Sequence, residues 1–359
     1  MDLSSSPLDG AVSGSALTTL ATPEEAAAFD AFLRDTPFAA YQQTRAWAAA
    51  APASARRGWR WFFHHDAHGP IGAAVIRTTR LGFGRWLATI QRGPVVHDPA
   101  RFAETLSALL DALRDAGCCT VQLAPRVRGR ALPVMTEALR GYGFAPLPHD
   151  QQSLHQATGI VWLDKPEEDV LAGFRQRARR ALRSAQRAGI TVRTATGARD
   201  LAAYQRVLDD FAAARPGYDI SGQPDAHGQA ALVAACGGDL LLAERDGVAI
   251  GAHGFVRQAD EAIWLSLATS DRDGVSPGYP LLWEAMRRAR ARGCVGYDLA
   301  GLPLDEPQDA GEAGRAQFKS AFAPHRRVMP PMQMAVLDPL AHHLLFGARQ
   351  AYRAWRRRG

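Results

Sequence analysis

The chain has 359 residues, 47% of them hydrophobic, which exceeds the usual size of one hydrophobic core and predicts two domains. Its formal net charge of +6 at pH 7 indicates an anionic partner such as nucleic acid or a phosphorylated substrate. The four cysteines lack the spacing of metal ligands or of a disulfide framework, and no apolar run is long enough to span a bilayer. These features argue against a disulfide-rich secreted scaffold and an integral membrane protein, and they predict a cytoplasmic protein.

The first part of the chain predicts a short tail followed by one α/β domain. Residues 1–16, with many Ser, Gly and Ala, are expected to form a disordered tail, and residues 17–155 the first domain. A helix is expected over residues 23–34, followed by apolar strands joined by a turn at residues 66–70. A later amphipathic helix ends at Gly117, before another apolar strand.

Residues 156–359 repeat that order and predict a second copy of the same domain. A helix is expected over residues 200–214, Asp246-Gly247 between apolar runs predicts a hairpin, and a later helix ends at Gly293. The landmarks of the two copies keep nearly one spacing, as in a tandem repeat. Hairpins followed by a helix and a strand resemble the acetyltransferase (GNAT) fold. The predicted class is therefore α/β, an α+β mixed sheet in two tandem GNAT-like acyltransferase domains.

The sequence lacks the loop with which a GNAT enzyme holds CoA. Such a loop is rich in glycine and opens a helix, so that backbone N–H groups bind the pyrophosphate. Residues 272–278 have the wrong glycine spacing, and Pro277 removes a backbone donor. We therefore expect no CoA cofactor, with an acyl-CoA-type N-acyltransferase kept as an alternative.

An arginine-rich segment over residues 174–188 predicts an amphipathic helix. Four arginines recur at a spacing of four along its polar face: Arg175, Arg179, Arg183 and Arg187. Arg177 and Arg180 add to them, with no acid in the segment. Like charges at that spacing destabilise an isolated helix by roughly 0.2 to 0.5 kcal/mol per pair. Two interpretations stay open: RNA or another phosphate-bearing partner, and a solvated face paired with acids elsewhere.

Only two of the 42 basic side chains are lysines, Lys165 and Lys319. Where arginine serves as the ordinary cation, a remaining lysine suggests a need for a compact ammonium in place of a planar guanidinium. Lys319 lies in the stretch Gln-Phe-Lys-Ser after a turn-rich loop, which makes it a candidate for chemistry. Lys165 precedes a proline and has the context of a loop residue.

Taken in order, several short segments give the chain a resemblance to the Fem (FemABX) family of tRNA-dependent, non-ribosomal aminoacyltransferases. The resemblance covers nearly the whole chain and depends on the order and spacing of the segments. They are residues 41–47 (Tyr-Gln-Gln-Thr-Arg-Ala-Trp), 91–94 (Gln-Arg-Gly-Pro), the arginine-rich helix, Tyr204 with residues 215–218, residues 297–299 (Tyr-Asp-Leu), and Phe318-Lys319. It implies tandem GNAT-like domains that transfer an amino acid from aminoacyl-tRNA to an amine, usually on a peptidoglycan precursor of the cell wall.

The resemblance also implies roles for individual residues. The catalytic pair is Lys319 with Phe318 beside it, because an ammonium stabilises the oxyanion formed when an amine attacks the aminoacyl ester. The candidates for substrate binding are Arg215, Tyr218, Arg92 and Trp264, and those for tRNA binding are Arg175, Arg179, Arg183 and Arg187. We expect no metal, no cofactor besides aminoacyl-tRNA as co-substrate, and a monomer that takes an amine-bearing peptide or muropeptide as acceptor.

Some positions depart from the family's pattern. Ala51 stands where many members have a lysine for the acceptor's diphosphate, Ala300 replaces a glycine usual after Tyr-Asp-Leu, and Ala321 and Ala323 occupy places where glycine is common. These departures leave open a tRNA-dependent amide ligase acting on a natural product or another small amine. A catalytically silent RNA-binding protein, which would not need Lys319, is a further alternative.

Other polar residues carry weaker signals. His64, His65 and His68 lie at a predicted turn, a context more typical of turns than of metal sites. His253 on a predicted strand is expected to be a buried or edge histidine, and Asp298 to support a turn. The basic tail over residues 349–358 is expected either to contact RNA or to cover the second domain.

Overall fold

The structure, a computed structural model, describes residues 14–18, 20, 22–36, 39–51, 54–127, 129–215, 223–270, 274–307 and 309–345. Contacts divide the chain into two compact units. The first unit comprises Met1–Arg45, Ala53–Leu154 and Pro330–Gly359. The second unit comprises Ala46–Pro52 and His155–Met329.

Both units combine a mixed β-sheet with helices. The described strands are β1 (Gly14–Thr18), β2 (Arg57–Asp66), β3 (Gly69–Gly82), β4 (Arg85–Arg92), β5 (Val95–Val96), β6 (Cys118–Pro125), β7 (Ala145–Pro146), β8 (Ala157–Trp162), β9 (Thr191–Thr194), β10 (Gly238–Arg245), β11 (Val248–Gln258), β12 (Glu261–Thr269), β13 (Gly296–Leu302), β14 (His325–Val328) and β15 (Gln333–Val336). The described α-helices are α1 (Pro23–Asp35), α2 (Arg45–Ala50), α3 (Phe102–Asp115), α4 (Ala131–Gly141), α5 (Glu167–Gly173), α6 (Gln176–Arg187), α7 (Gly197–Ala213), α8 (Ala226–Cys236), α9 (Gly278–Ala291) and α10 (Ala310–Ser320).

The sheet of the first unit has the order β1-β2-β3-β4-β6-β15-β7, with β5 paired to β3. Its strands pair antiparallel except β4 and β6, which are parallel. Helix α3 lays its apolar stripe on this sheet and buries Leu106, Leu109 and Leu113 completely. Burying each of these side chains contributes roughly 1.5 to 3 kcal/mol of hydrophobic stabilisation.

The sheet of the second unit has the order β14-β8-β13-β12-β11-β10-β9, with β12 and β13 as its parallel pair. The predicted hairpin is present between β10 and β11, where Asp246 and Gly247 have φ values of 53° and 74°. Residues with φ above zero at both central positions form the tight turn that matches the twist of paired strands. Helix α9 covers the sheet and buries Leu281, Leu282 and Met286.

The same order of elements recurs in the two units. In each, antiparallel strands lead to a helix, α3 or α9, and the strand after that helix pairs parallel with one of them, β6 with β4 and β13 with β12. Gly117 and Gly293 follow the two helices with φ of 82° and 81°, a left-handed conformation that glycine adopts at little cost. The predicted fold class of two tandem GNAT-like domains with mixed sheets is confirmed.

The domain boundaries differ from those expected from the sequence. The division after Leu154 lies close to the expected one, but residues 330–336 belong to the first unit and not to the second. The reason is that β15 pairs with β6 and β7 and satisfies their backbone groups. Residues 14–16, expected in the tail, begin strand β1, which pairs with β2. Residues 1–13 and the basic tail over 349–358 lie outside the described residues.

The parallel pair of the second sheet opens where that of the first stays closed. In the first unit, β4 and β6 remain paired as far as Arg92 and Pro125. In the second unit, β12 and β13 pair only as far as Ile263 and Asp298. Beyond this point β13 continues against β8, with a register shift before Gly301. The opening leaves room at the sheet for side chains from elsewhere in the unit.

None of the described helices combines the length and the apolar character that crossing a bilayer requires.

Candidate active site

Helix α10 carries Lys319 to the opening between β12 and β13. The helix starts after Asp309, whose carboxylate accepts a hydrogen bond from the Glu312 N–H at 2.8 Å, a standard cap of a helix N-terminus. Lys319 lies in the last turn and is 7% exposed. Its Nζ donates to the Gly301 carbonyl at 2.6 Å and lies 4.8 Å from the centroid of the Trp264 ring.

Burial lowers the pKa of Lys319 to about 8, with a further lowering by Arg315, while the Asp298 carboxylate acts in the opposite direction. The side chain is therefore mainly an ammonium at neutral pH. An ammonium has three N–H donors, and Gly301 accepts from one of them. Within the described residues, the remaining two have no hydrogen-bond acceptor. A substrate oxygen at this place would meet a desolvated, charged donor.

The Gly301 carbonyl is held in place by the bulge before it. The Asp298 carboxylate accepts from the Ala300 N–H at 2.8 Å and also contacts the Thr158 hydroxyl. Ala300 has φ of 58°, a conformation that favours glycine. The resemblance to the Fem family predicts glycine at this position, and this conformation gives the physical reason. Asp298 thus supports a turn, as expected, and thereby orients the acceptor of the Lys319 hydrogen bond.

Trp264 forms the wall beside Lys319 and is supported by a buried histidine. The His253 ring meets Trp264 edge-on, with centroids 5.4 Å apart. Its Nδ1 donates to the Ser266 carbonyl at 2.6 Å, which leaves Nε2 to accept from the Tyr297 hydroxyl at 2.6 Å. Burial lowers the pKa of His253 to about 3. The ring therefore stays neutral at physiological pH and serves packing, not proton transfer.

Phe318 connects α10 to the start of α9. Its ring lies 4.8 Å from that of Tyr279 and 5.6 Å from that of Phe322, centroid to centroid. Phe322 in turn packs against Phe174, just before α6, at 5.1 Å. An aromatic cluster thus joins the residue beside Lys319 to both helices. Sequence reasoning had proposed Phe318 but not Tyr279, which no local motif marked.

The arginines of α6 face a cavity of about 600 Å³, which we name the arginine cavity. Four of them line it: Arg177, Arg180, Arg183 and Arg187. Of the four predicted from their spacing, Arg183 and Arg187 are at the cavity, and Arg175 and Arg179 are not among the residues that line it. A spacing of four drifts by about 40° per step around a helix of 3.6 residues per turn. Arg175 also precedes the first residue of α6 and has an extended backbone, so the regular spacing in the sequence does not place all four side chains alike.

The remaining predicted site residues are on other elements or outside the described residues. Arg215 follows α7 and stacks on the ring of Phe211, with its Cζ 3.7 Å from the ring centroid. Tyr218 lies outside the described residues. Arg92 ends β4 in the first unit with φ of 58°. Next to it, Gln43 bridges two strands by donating to the Gln91 carbonyl at 2.6 Å and accepting from the Val75 N–H at 2.8 Å.

The histidines around residue 66 form a structural cluster. Asp66 accepts from the Arg101 guanidinium and from the His68 N–H. Burial lowers the pKa values of His64 and His65. In the part of the chain that the structure describes, no group of three or more His, Cys, Asp or Glu side chains is placed to hold a metal ion.

Residues 172–320 match the family model described as an acetyltransferase (GNAT) domain. No curated protein matches the chain by sequence. Among solved structures, FemX is similar with a TM-score of 0.76 and 18% identity, over 89% of this chain and 98% of that chain. The chain has a FemX-like tandem GNAT fold. This agrees with the resemblance found in the sequence.

Other structures share the FemX-like fold at greater distance. One is the C-terminal domain of a putative lysylphosphatidylglycerol synthetase from Agrobacterium fabrum, with a TM-score of 0.55, 16% identity, and coverage of 89% of this chain and 93% of that chain. Another is a tandem GNAT protein from the clavulanic acid biosynthesis pathway, with a TM-score of 0.51, 11% identity, and coverage of 90% and 98%. With the GNAT-domain match, these similarities support an acyltransferase. The matched segment includes both α6 and Lys319 of the FemX-like fold.

Proposed function

We propose that this protein is an aminoacyltransferase that moves an amino acid from aminoacyl-tRNA to an amine, with a peptidoglycan precursor peptide as the acceptor. The observation that carries the proposal is the buried Lys319 ammonium at the opening of the second sheet, beside Trp264. The FemX-like fold and the resemblance to the Fem family support the type of reaction. The arginine cavity supports a donor that carries phosphate groups.

The reaction requires stabilisation of an oxyanion. The acceptor nitrogen attacks the carbonyl carbon of the ester that links the amino acid to the tRNA ribose, and a C–N bond forms. The tetrahedral intermediate collapses as the C–O ester bond breaks, the amine loses a proton and the ribose hydroxyl gains one. The Lys319 ammonium donates to the carbonyl oxygen as its negative charge develops. In a desolvated site such a donor typically contributes a factor of roughly 10² to 10³ in rate.

The residues divide this task among them. Gly301 fixes Lys319 through its carbonyl, and Trp264 excludes water from one side of the ammonium. Phe318 holds the end of α10 against α9. Arg215, Tyr218 and Arg92 remain proposed contacts of the acceptor, and no cofactor beyond the aminoacyl-tRNA takes part.

A donor assay tests the proposal. The purified chain is given radiolabelled aminoacyl-tRNA or acyl-CoA together with peptidoglycan precursor peptides and small amines. We expect label to pass from aminoacyl-tRNA to a peptide amine, and to stop in Lys319→Met. The matched control is Lys165→Met. Lys165 is exposed, so this substitution removes the same charge at a position away from the buried site. Transfer from acyl-CoA alone would refute the proposal.

An acyl-CoA donor is the second candidate, favoured by the match of residues 172–320 to an acetyltransferase domain. Against it, Pro277 occupies the cap position of α9 and offers no backbone N–H at the helix start. Transfer from aminoacyl-tRNA to a small amine, but not to a peptide, would instead support the natural-product ligase.

A further inference from the structure

The arginine cavity is a concentration of positive charge. Its wall on one side is the arginine face of α6, and the opposite wall is formed by residues 274–276 and Tyr279, where the chain enters α9. No Asp or Glu is among the described residues that line it. The four guanidinium groups therefore face a shared volume without a carboxylate in its wall.

These arginines differ from those on the neighbouring helix α9. There, Arg287 pairs with Glu167 at 2.8 Å and Arg288 pairs with Glu284 at 2.7 Å. Across the described ranges of the chain, none of the four cavity arginines forms an ion pair. Uncompensated like charges on one helix face repel one another. An anion bound in the cavity would offset that repulsion. Arginines paired with acids elsewhere in the fold would not need such an anion.

A second, independent observation is the hydroxyl group of Tyr279. The residue is 4% exposed, and its hydroxyl oxygen is buried without a hydrogen-bond partner among the residues that the structure describes. Buried polar groups almost always have a partner, and leaving one without costs free energy. Tyr279 lines the arginine cavity. A ligand that presents an acceptor oxygen there would complete the missing hydrogen bond.

We propose that the arginine cavity binds closely spaced phosphate groups of the donor, with the Tyr279 hydroxyl donating to one phosphate oxygen. Guanidinium groups suit this ligand, because their fork of N–H donors matches the oxygens of a phosphate. The identity of the donor rests on the proposed function, whereas the phosphate chemistry rests on the cavity alone. Closely spaced phosphates occur in the backbone at the end of an RNA strand and in the diphosphate of CoA.

Tyr279 connects the arginine cavity to the helix turn that carries Lys319. Its ring contacts Phe318, the neighbour of Lys319, with centroids 4.8 Å apart. It also stacks on Phe322 at 5.6 Å. A phosphate that orders Tyr279 therefore orders the last turn of α10, which carries the ammonium.

Binding measurements on the full chain test the proposal. The probes are inorganic diphosphate, CoA, and a short single-stranded RNA with the 3′ sequence of tRNA, each titrated at several salt concentrations. The double variant Arg180→Gln/Arg187→Gln removes two cavity charges. The matched control Arg199→Gln/Arg206→Gln removes two charges from exposed positions of α7, elsewhere on the same unit.

We expect the cavity variant to bind diphosphate and RNA about tenfold or more weakly. Each lost phosphate contact should also reduce the salt slope for the RNA by roughly 0.7. The α7 variant should change both much less. Tyr279→Phe should weaken diphosphate binding while leaving the stability of the free protein equal or higher. In the wild type, diphosphate should slow amide hydrogen exchange in α10, and Tyr279→Phe should remove that protection.

Each outcome decides between the cavity and its alternatives. Equal losses in the two double variants, or no diphosphate binding by the wild type, would overturn the phosphate cavity. CoA binding through these arginines without RNA binding would support the cavity and overturn the aminoacyl-tRNA donor. The cavity and the proposed function can thus fail separately.

Discussion

Replacing Lys319 by methionine tests two effects of the ammonium, its role in the transfer reaction and the cost in folding stability of burying its charge. Burial lowers its pKa to about 8, whereas an unfolded lysine titrates at about 10.4. At about 1.4 kcal/mol for each pKa unit, the difference corresponds to roughly 3 kcal/mol by which burial disfavours the charged form. The folded protein bears this cost in full below pH 8. Methionine keeps the unbranched apolar stem of the side chain and removes the charged end group.

The direction in which stability changes with pH follows from the number of protons that the folded and unfolded chains bind. Between about pH 8 and pH 10.4 the unfolded chain binds more protons than the folded one, so the stability of the wild type rises with pH across this window. At pH 7 we expect Lys319→Met to be more stable than the wild type by roughly 1 to 2 kcal/mol, after about 1 kcal/mol is lost at the Gly301 carbonyl. Near pH 10 this advantage should disappear. Urea unfolding at both pH values measures the change.

The same variant should lose transfer activity by a factor of roughly 10² to 10³. Lys319→Arg should also fail, since a planar guanidinium cannot place its charge where the ammonium lies. In the wild type, the contribution of Lys319, measured as the ratio of its rate to that of Lys319→Met, should fall as pH rises through about 8. A ratio that rises there would assign Lys319 to proton abstraction, and near-normal turnover by folded Lys319→Met would remove it from the mechanism.

Two further predictions concern contacts of the second unit. Arg327→Met removes the guanidinium that donates to the Glu261 carboxylate at 2.7 and 3.0 Å, and this carboxylate is 1% exposed. Urea unfolding should show that the free energy of unfolding falls by about 3 to 5 kcal/mol, and adding Glu261→Gln should recover part of it. A fall below about 1 kcal/mol would contradict the argument. Gly301→Ala places a Cβ 2.2 Å from His155 Nδ1, so the melting temperature should fall and His155→Ala should restore it; an unchanged melting temperature would show that the ring moves away freely.

Local sequence signals predicted the turns and helix ends of this fold. Asp246-Gly247 and Gly293 require backbone conformations that few residues adopt, so the sequence marks them directly. The positive φ values of Ala300 and Ala323, 58° and 48°, explain why glycine is usual at those places. The sequence showed these positions only as departures from a family pattern, because alanine does not by itself indicate a left-handed conformation.

The surroundings of Lys319 depend on contacts between distant parts of the chain. The scarcity of lysine indicated the residue, but its burial and its lowered pKa follow from the opening between β12 and β13. That opening depends on the pairing of Gly301 with Thr158, far away in sequence. The same holds for the arginine cavity, since its second wall comes from the start of α9. Periodicity alone could not choose among the arginines of α6.

Strand β15 makes the first sheet depend on a segment that is synthesised after the whole second unit. β6 lies between β4 and β15, so one of its edges stays without a partner until β15 emerges from the ribosome. Translation proceeds at about 5 to 20 residues per second, and all of the second unit is made in that interval. The nascent first unit therefore exposes an apolar, unpaired strand edge on the order of ten seconds or more, a state prone to aggregation. Its sheet is completed only after all of the second unit has been made.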